Sequence, residues 1–429
     1  MLKNKKIYIV TSLFFLIIIL IGALILKLPF SINAPISNID VIFEATSALT
    51  TTGISIVDNS KNLTFFGQIV LIILTQIGAV GFMSLFYFVF KFSTKKSRLS
   101  DTMVLISETS DNNYNLVKST LKRIIVYTFT IEFFGAWLLA FRFVPIYGIK
   151  TGIWYSIFHS ISAFCNAGFD LLGNTSFIGF NGDVYLYTVL MILMFLGSIG
   201  FFVLEDMVEW FVSGKTRKIT IQSRIILITA FFIVLISTIL LKIYNSELKF
   251  MDCLFMVLSS RNTGFSCIDI NSLRDINKFI IICVMFIGGA PISNAGGIRV
   301  NVFAILLLTM INNLKNRDDV VIFYRTINQK IIKRAVTILS INMLVILIGS
   351  MLFALSENFG ILDILFYIVS SFTTTGLSTI NIYEISWIGK IITIFVMYLG
   401  RIAPITFLSL FISNKKTSEI KYPEIDIIL

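Results

Sequence analysis

The chain has 429 residues, of which 56% are hydrophobic and 14% are charged, and its formal net charge is +11. Soluble domains carry about 25% charged residues, so this composition excludes a set of soluble domains and predicts a membrane protein. A single histidine and only 24 acidic residues argue against most metalloenzymes and hydrolases. We therefore expect no enzyme activity and no covalently bound cofactor.

The lysines and arginines gather between the apolar runs. Five basic segments fall on one side of a membrane if each pair of spans returns to the side where it began: residues 3–6, 91–123, 215–224, 315–334 and 415–421. This is the positive-inside pattern. It predicts a multi-pass protein of the cell membrane that contacts lipid and has both termini in the cytoplasm, and it explains the charge without binding to nucleic acid.

Four copies of one unit account for the apolar segments in chain order. Each unit has an outer helix of spanning length, a half-helix too short to span, a glycine-containing loop and an inner helix. The predicted outer helices are Ile7–Leu26, Leu121–Phe143, Ile225–Leu241 and Ala335–Phe353. The predicted half-helices are Asp40–Leu49, Ile153–Phe164, Met251–Ser259 and Leu362–Phe372. The predicted inner helices are Gly67–Val89, Val184–Val203, Phe279–Leu308 with a break, and Trp387–Phe411.

The units predict an all-α integral membrane protein with eight spans and four re-entrant segments around one central pore. Residues 1–90 form repeat 1, and residues 91–212 contain a cytoplasmic loop and repeat 2. Residues 213–311 form repeat 3, residues 312–413 contain a second cytoplasmic loop and repeat 4, and residues 414–429 form a cytoplasmic tail.

The loops of the four units resemble each other. They read SALTTTGIS, SAFCNAGFD, SSRNTGFSC and SSFTTTGLS, and each follows a half-helix that contains a phenylalanine. The phenylalanines are Phe43, Phe158, Phe255 and Phe366. Each inner helix carries a glycine at a similar distance from its loop: Gly78, Gly197, Gly288 and Gly400. One such loop is a weak signal, but four at matched positions predict a shared function.

Irregular backbone at membrane depth is tolerated only where it is buried in protein or lines water. Extended Thr/Gly backbone around one axis would supply rings of carbonyl oxygens, which replace the hydration shell of K⁺ in known channel filters. The half-helices would point their negative ends at the ion. The predicted filter consists of Thr51, Thr52, Gly53, Asn166, Ala167, Gly168, Asn262, Thr263, Gly264, Thr374, Thr375 and Gly376.

The third inner helix contains a proline and four glycines between Gly288 and Gly297, which cannot continue a stable helix. The segment is either a kink that improves packing or a flexible loop that obstructs the path below the filter. Arg401 lies in an otherwise apolar helix, where an ionisable residue indicates function. The predicted gate consists of Gly288, Gly289, Asn294, Gly296, Gly297 and Arg401. We expect the guanidinium to bind loop carbonyls and the Asn294 side chain.

The whole chain resembles the Trk/Ktr/HKT superfamily of K⁺ transporters, and its length is most similar to the Ktr-type membrane subunit. Further points of resemblance are FIGGAPISNAGGIRVN, YLGRIAPIT and the terminal KYPEIDIIL. The resemblance implies K⁺ uptake through a filter, a gate at the intramembrane loop, a homodimer and a cytosolic ring of nucleotide-binding regulatory subunits. Cys165 stands where that family usually has Asn, and Asn262 where it has Thr or Ala.

Two alternative functions stay open on the sequence. One is a secondary symporter coupled to Na⁺ or H⁺, although the repeats share one orientation and the spans carry few acids. The other is a less selective monovalent cation transporter that also carries Na⁺. The transported ion is expected to be K⁺, and the sequence does not decide whether Na⁺ activates transport.

Three kinds of residue near the loops have simpler expected roles. The four cysteines are Cys165, Cys253, Cys267 and Cys283; none forms a CxxC pair, and we interpret them as small apolar residues in helices. His159 is expected to be a buried, hydrogen-bonded residue of the second half-helix. Glu44 is expected to pack behind the filter.

Overall fold

The computed structural model describes residues 2–93, 114–173, 176–214, 219–291, 293–317 and 319–402. Residues 403–411 of the predicted fourth inner helix and the predicted tail, residues 414–429, lie outside these ranges. Residues 94–113, which belong to the predicted first cytoplasmic loop, also lie outside them. The regular secondary structure of the described chain is almost wholly helical. Two short antiparallel strands, β1 (Val321–Ile322) and β2 (Arg325–Thr326), lie between the third and fourth repeats.

The helices follow the fourfold plan. The first repeat contains α1 (Leu2–Leu26), α2 (Asn38–Thr50) and α3 (Phe65–Ser93). The second contains α4 (Tyr114–Tyr147), α5 (Ile149–Phe164), α6 (Val184–Ser198) and α7 (Phe201–Val212). The third contains α8 (Ile221–Tyr244), α9 (Phe250–Ser260), α10 (Asp275–Ile287) and α11 (Val300–Leu314). The fourth contains α12 (Gln329–Ser356), α13 (Ile361–Phe372) and α14 (Trp387–Ile402).

The second inner helix differs from its prediction as an unbroken helix, Val184–Val203. It ends at Ser198, and α7 leaves at an angle of 107° after a break of two residues. Gly200 takes a φ of +88° at the start of α7, a conformation that glycine adopts without strain. The third inner helix breaks between α10 and α11, as predicted.

Three of the four half-helices carry an acid in the first turn, Asp40, Asp252 and Asp363, whereas α5 begins after Gly148 without a side-chain cap. Ser37 Oγ accepts a hydrogen bond from the Asp40 amide at the start of α2, and Asp252 in α9 accepts one from the Lys249 amide. Such contacts satisfy amides that have no partner within the helix. They matter most in short helices, because a helix of three or four turns is marginal on its own.

The outer helices face outward and the half-helices form the centre. Among the residues that the structure describes, three outer helices are long and apolar enough to span a bilayer: Lys122–Tyr147 within α4, α8 and α12. Large apolar side chains lie exposed along them, including Phe133 and Met351. The half-helix phenylalanines are instead fully buried: Phe43, Phe158, Phe255 and Phe366. The total of eight spans stays a prediction.

The first and fourth repeats pack against each other and close the arrangement. Lys390 of α14 forms an ion pair with Asp40 of α2 at 2.6 Å, and the Tyr398 hydroxyl donates to the Ser12 carbonyl at 2.8 Å. The third and fourth repeats are joined by Lys278 and Asp363 at 3.3 Å. The chain therefore surrounds a single axis.

Candidate ion-conducting site

The four glycine loops form a closed ring, which we call the loop ring. A methyl group built on Gly53 would overlap the Ala167 carbonyl, and one on Gly168 would overlap the Thr263 carbonyl. The same relation holds between Gly264 and the Thr375 carbonyl and between Gly376 and the Thr52 carbonyl. Each loop thus contacts the next, and the fourth contacts the first. The four contacting carbonyls belong to the residues just before the glycines, so they form one layer of the ring.

Three of the loops share one backbone conformation. Thr51, Asn166 and Thr374 have positive φ values of 54°, 52° and 55°. The next amide in each loop then donates to a carbonyl five residues earlier, as Thr52 does to Ser47 at 2.8 Å. Residues other than glycine pay an energetic cost in this left-handed region. The surrounding packing must therefore hold these residues in place.

Side-chain hydrogen bonds join the loops beneath that layer. Thr263 Oγ1 donates to Asn166 Oδ1 at 2.7 Å, and Asn262 Nδ2 donates to the Thr373 carbonyl at 2.9 Å. Within the first loop, the hydroxyls of Thr50 and Thr52 lie 2.7 Å apart. All twelve predicted filter residues lie in the loop ring, and the non-glycine residues among them are buried. The structure brings the predicted set together.

Two buried residues behind the ring hold the chain that leaves the first and second loops. Glu44 Oε1 accepts from the Ser55 hydroxyl at 2.6 Å and from the Ile56 amide at 2.7 Å. His159 occupies the equivalent position in the second repeat, bonds to the Tyr155 carbonyl and accepts from the Leu171 amide at 3.3 Å. Both residues are buried and hydrogen-bonded, as expected from the sequence.

The segment between Gly288 and Gly297 is an irregular loop that lies directly against the loop ring. A methyl group on Gly296 would overlap the Thr373 carbonyl. The Ala290 amide donates to the Ser198 carbonyl at 2.8 Å, and Asn294 Nδ2 donates to the Phe164 carbonyl at 3.0 Å. The loop therefore contacts the end of the second half-helix and the carbonyls freed by the break in the second inner helix.

Arg401 reaches this loop from the fourth repeat. Its Nη1 donates to the Asn294 backbone carbonyl at 2.8 Å, and its Nη2 donates to the Gly78 carbonyl. The expectation that the Asn294 side chain accepts from Arg401 is wrong: its Nδ2 donates to the Phe164 carbonyl, and its Oδ1 has no hydrogen-bond partner among the described residues. The Thr51 hydroxyl lies 3.5 Å from the same Asn294 carbonyl. The backbone oxygen of Asn294 thus connects the intramembrane loop to both the loop ring and the Arg401 guanidinium.

Sequence reasoning missed a polar contact of the second loop. Cys165, interpreted as an apolar residue, is the C-cap residue directly after α5, and its thiol donates to Gln76 Oε1 at 3.1 Å. The thiol also lies 3.5 Å from Glu132 Oε1. No sequence signal pointed to this contact, since the three residues are far apart in the chain. The expectation that the cysteines lie in helices holds for Cys253 in α9 and Cys283 in α10 and is wrong for Cys165 and Cys267, which lie outside the helices. Cys283 is exposed, and the other three are buried.

A family model described as a cation transport protein, TrkH, matches residues 2–419. The chain belongs to the TrkH cation transport family. Family membership confirms the predicted resemblance, a multi-pass membrane protein and a transport function rather than an enzymatic one.

Curated relatives cover nearly the whole chain. The Ktr system potassium uptake protein B of Bacillus subtilis is 32% identical over 426 residues, which span 97% of this chain and 95% of that protein. The potassium/sodium uptake protein NtpJ of Enterococcus hirae is 32% identical over 435 residues, with the same coverage. The similarity therefore includes all four repeats.

A solved structure shares the fold. The potassium transporter TrkH from Vibrio parahaemolyticus superposes with a TM-score of 0.77 at 19% identity, over 95% of this chain and 85% of that one. This likeness confirms the predicted fold class of helical repeats around a central axis.

Proposed function

We propose that this protein takes up K⁺ across the cell membrane through the loop ring. The closed contact of four loops, each through a glycine and a neighbouring carbonyl, carries the proposal. Relatives named as potassium uptake proteins from Bacillus subtilis and Vibrio alginolyticus support it, with 32% and 31% identity over nearly the whole chain.

The proposed filter works through backbone oxygens. Carbonyls of the residues before the glycines would replace the hydration shell of a K⁺ ion on the axis. The half-helix ends, which point into the ring, would add the negative potential of their unpaired carbonyls. Glycine is required at four positions, because any side chain there would displace the carbonyl of the next loop.

The proposed gate is the loop between Gly288 and Gly297 together with Arg401. The loop lies against the Thr373 carbonyl of the ring, and a fixed cation beside it repels K⁺. The guanidinium needs acceptors because it cannot lose its charge, and the Asn294 carbonyl supplies one at 2.8 Å. Release of this contact would free the loop to move and open the path.

We further propose a homodimer with both termini in the cytoplasm, regulated by a cytosolic ring of nucleotide-binding subunits. The positive-inside charge pattern supports the orientation. The name of the Bacillus subtilis relative, a Ktr system protein, supports a system with further components. Subunit counting in bilayers and a pull-down with candidate ring proteins test both statements.

A less selective K⁺/Na⁺ transporter is the second candidate. The Enterococcus hirae relative is named a potassium/sodium uptake protein and is 32% identical. Asn262 and Cys165 also depart from the residues usual at the ring in the resembling family. A transporter that couples K⁺ uptake to Na⁺ or H⁺ is a further candidate, which flux into liposomes distinguishes from the other two.

Flux into liposomes tests the proposal. The purified full chain is reconstituted, and uptake of ⁸⁶Rb⁺ is measured against protein-free liposomes, with added K⁺ or Na⁺ as competitors. We expect K⁺ to compete much more strongly than Na⁺, with no requirement for a Na⁺ or pH gradient. Equal competition by K⁺ and Na⁺ supports the second candidate. Uptake that requires a Na⁺ or pH gradient indicates coupling, and absence of ⁸⁶Rb⁺ uptake contradicts the proposal.

A further inference from the structure

A carboxyl group lies in the middle of the second outer helix. Glu132 belongs to the apolar span Lys122–Tyr147, and its exposure is only 5%. Acidic residues inside a span are costly and usually functional. The part of the chain that the structure describes places no lysine or arginine within ion-pair distance of Glu132. Its interactions are therefore hydrogen bonds to neutral groups.

Those hydrogen bonds form a three-residue group that we call the Glu132 cluster: Gln76, Glu132 and Cys165. Gln76 Nε2 donates to Glu132 Oε2 at 3.0 Å, and the Cys165 thiol lies 3.1 Å from Gln76 Oε1 and 3.5 Å from Glu132 Oε1. The cluster joins the first inner helix, the second outer helix and the second loop. It fixes the loop to two helices of different repeats.

The helix that carries Glu132 is itself held against the second half-helix. The Ser160 hydroxyl of α5 donates to the Glu132 backbone carbonyl at 2.7 Å. At Gly135, one turn further on, an added methyl group would overlap Ser160 Oγ. The carboxyl therefore starts from a backbone that lies at a fixed distance from α5, so its contact with Cys165 is well defined.

The second loop differs here from the first and fourth loops. The residue equivalent to Cys165 is Thr50 in the first loop and Thr373 in the fourth. Each threonine hydroxyl bonds within its own loop, Thr50 to Thr52 at 2.7 Å and Thr373 to Thr375 at 2.9 Å. Cys165 instead bonds outward. The second loop thus obtains from Glu132 and Gln76 the support that the other two loops supply themselves.

We propose that Glu132 is a positioning residue of the second loop and that it sets the preference between K⁺ and Na⁺. The inference rests on the proposed function of the loop ring. Cys165 directly precedes Asn166 and Ala167, and the Ala167 carbonyl contacts Gly53 of the first loop. A change in the Glu132 cluster therefore shifts one oxygen of the proposed filter, on which ion preference depends.

Three variants and a conservative replacement test this role in liposome flux. Glu132→Gln leaves one oxygen for two donors, and Cys165→Ala removes the thiol. We expect each to lower the K⁺/Na⁺ uptake ratio about fivefold, as for one lost hydrogen bond. The double variant should lower it no further, because residues of one cluster are non-additive. Cys165→Ser keeps a donor and should remain within about twofold of the wild-type ratio.

A control and a second measurement separate positioning from folding. Glu357→Gln alters a carboxyl that bonds to Ser386 outside the ring, and its uptake ratio should equal that of the wild type. Infrared spectra of the purified protein report the Cys165 S–H stretch, which is identified as the band missing in Cys165→Ala. This band should shift in Glu132→Gln and stay fixed in Glu357→Gln.

The two measurements distinguish the possible failures. An unshifted S–H band, an unchanged uptake ratio in both single variants, or multiplicative effects in the double variant would overturn the role of Glu132. Absence of cation flux in the wild-type protein, with the band shift present, would overturn the proposed transport function and leave the Glu132 contact established.

Discussion

The third repeat departs from the other three at the loop ring. The loop glycine follows the buried half-helix phenylalanine by ten residues in three repeats (43 to 53, 158 to 168 and 366 to 376) but by nine in the third (255 to 264). The shorter loop has a positive φ only at Gly264, and none of its residues takes the left-handed conformation of Thr51, Asn166 and Thr374. Its Thr263 and Gly264 amides both donate to the Ser259 carbonyl, at 2.8 and 3.1 Å.

The inner helices also separate the third repeat from the other three. Gly78, Gly197 and Gly400 each pack against a carbonyl at the end of the half-helix in their own repeat, namely Leu49, Phe164 and Phe372. In the third repeat the equivalent Gly288 packs against the Gly296 carbonyl, which belongs to the intramembrane loop. Three repeats thus brace the ring with an inner helix, whereas the third provides a loop that lies beneath it.

Fourfold similarity in sequence does not require equal roles of the four repeats. The glycine–carbonyl contacts of the ring are kept in all four repeats, including the one with the shorter loop. The inner-helix contact is kept in three only. We infer that the ring needs all four repeats to close, and that bracing by three leaves one repeat free to carry a gate.

The largest effect is expected at the ring glycines, and it should be equal in all repeats. Gly53→Ser, Gly264→Ser and Gly376→Ser each place a side chain on a neighbouring carbonyl at a positive φ. Strain of about 1–3 kcal/mol corresponds to a loss of K⁺/Na⁺ preference of about fivefold to more than a hundredfold. Competition of Na⁺ with ⁸⁶Rb⁺ uptake measures it.

Gly179→Ala is the matched control, because a methyl group there meets nothing within 4 Å. It should leave the uptake ratio unchanged. If Gly264→Ser alone kept the wild-type preference, the third loop would not belong to the filter, and the ring would have three members.

The inner-helix glycines should separate the third repeat from the others. Gly78→Ala and Gly400→Ala push a helix against a half-helix carbonyl, and overpacking of this kind costs about 1–3 kcal/mol. We expect a lower thermal unfolding temperature and weaker ion preference. Gly288→Ala should instead change the uptake rate at unchanged preference, since its contact lies within the gate loop. Equal loss of K⁺/Na⁺ preference in all three variants would show that the third inner helix supports the ring in the same way as the others.

The smallest effect concerns the left-handed residues. Thr374→Gly relieves the strain of a φ of 55°, which costs about 1–2 kcal/mol in a residue with a side chain. This stabilisation is offset because glycine loses more conformational entropy on folding. We expect a nearly unchanged unfolding temperature. Asn262 has no positive φ, so Asn262→Gly relieves no strain. It removes the hydrogen bond to the Thr373 carbonyl and should lower the free energy of unfolding by about 1–2 kcal/mol. The opposite order would contradict the difference between the loops.

Much of this organisation could be predicted from the sequence. The repeats, the half-helices and the ring glycines follow from apolar run lengths and from four similar loops, because these features are local. The break after Gly288 follows from one proline and several glycines. The spacing of nine residues between Phe255 and Gly264 also stands in the sequence and signals the unusual third loop.

The remaining features depend on contacts between distant segments. The bend after Ser198 carries only one glycine, so apolar continuity favours an unbroken helix there. Glu132 and Cys165 meet across 33 residues, and Gln76 comes from another repeat. Arg401 was correctly expected to meet the loop, but the choice of a backbone oxygen over the Asn294 side chain depends on where Phe164 ends its helix.

The most direct test of the divided roles is flux through variants of the gate. Arg401→Ala removes the bond to Asn294, deletion of residues 293–295 shortens the loop, and Lys390→Ala on the same helix serves as control because it pairs with Asp40 outside the gate. We predict that ⁸⁶Rb⁺ uptake rises about tenfold in each gate variant and no further in the double variant, with K⁺/Na⁺ preference unchanged. Multiplicative effects, or lost preference at wild-type flux, would contradict the account.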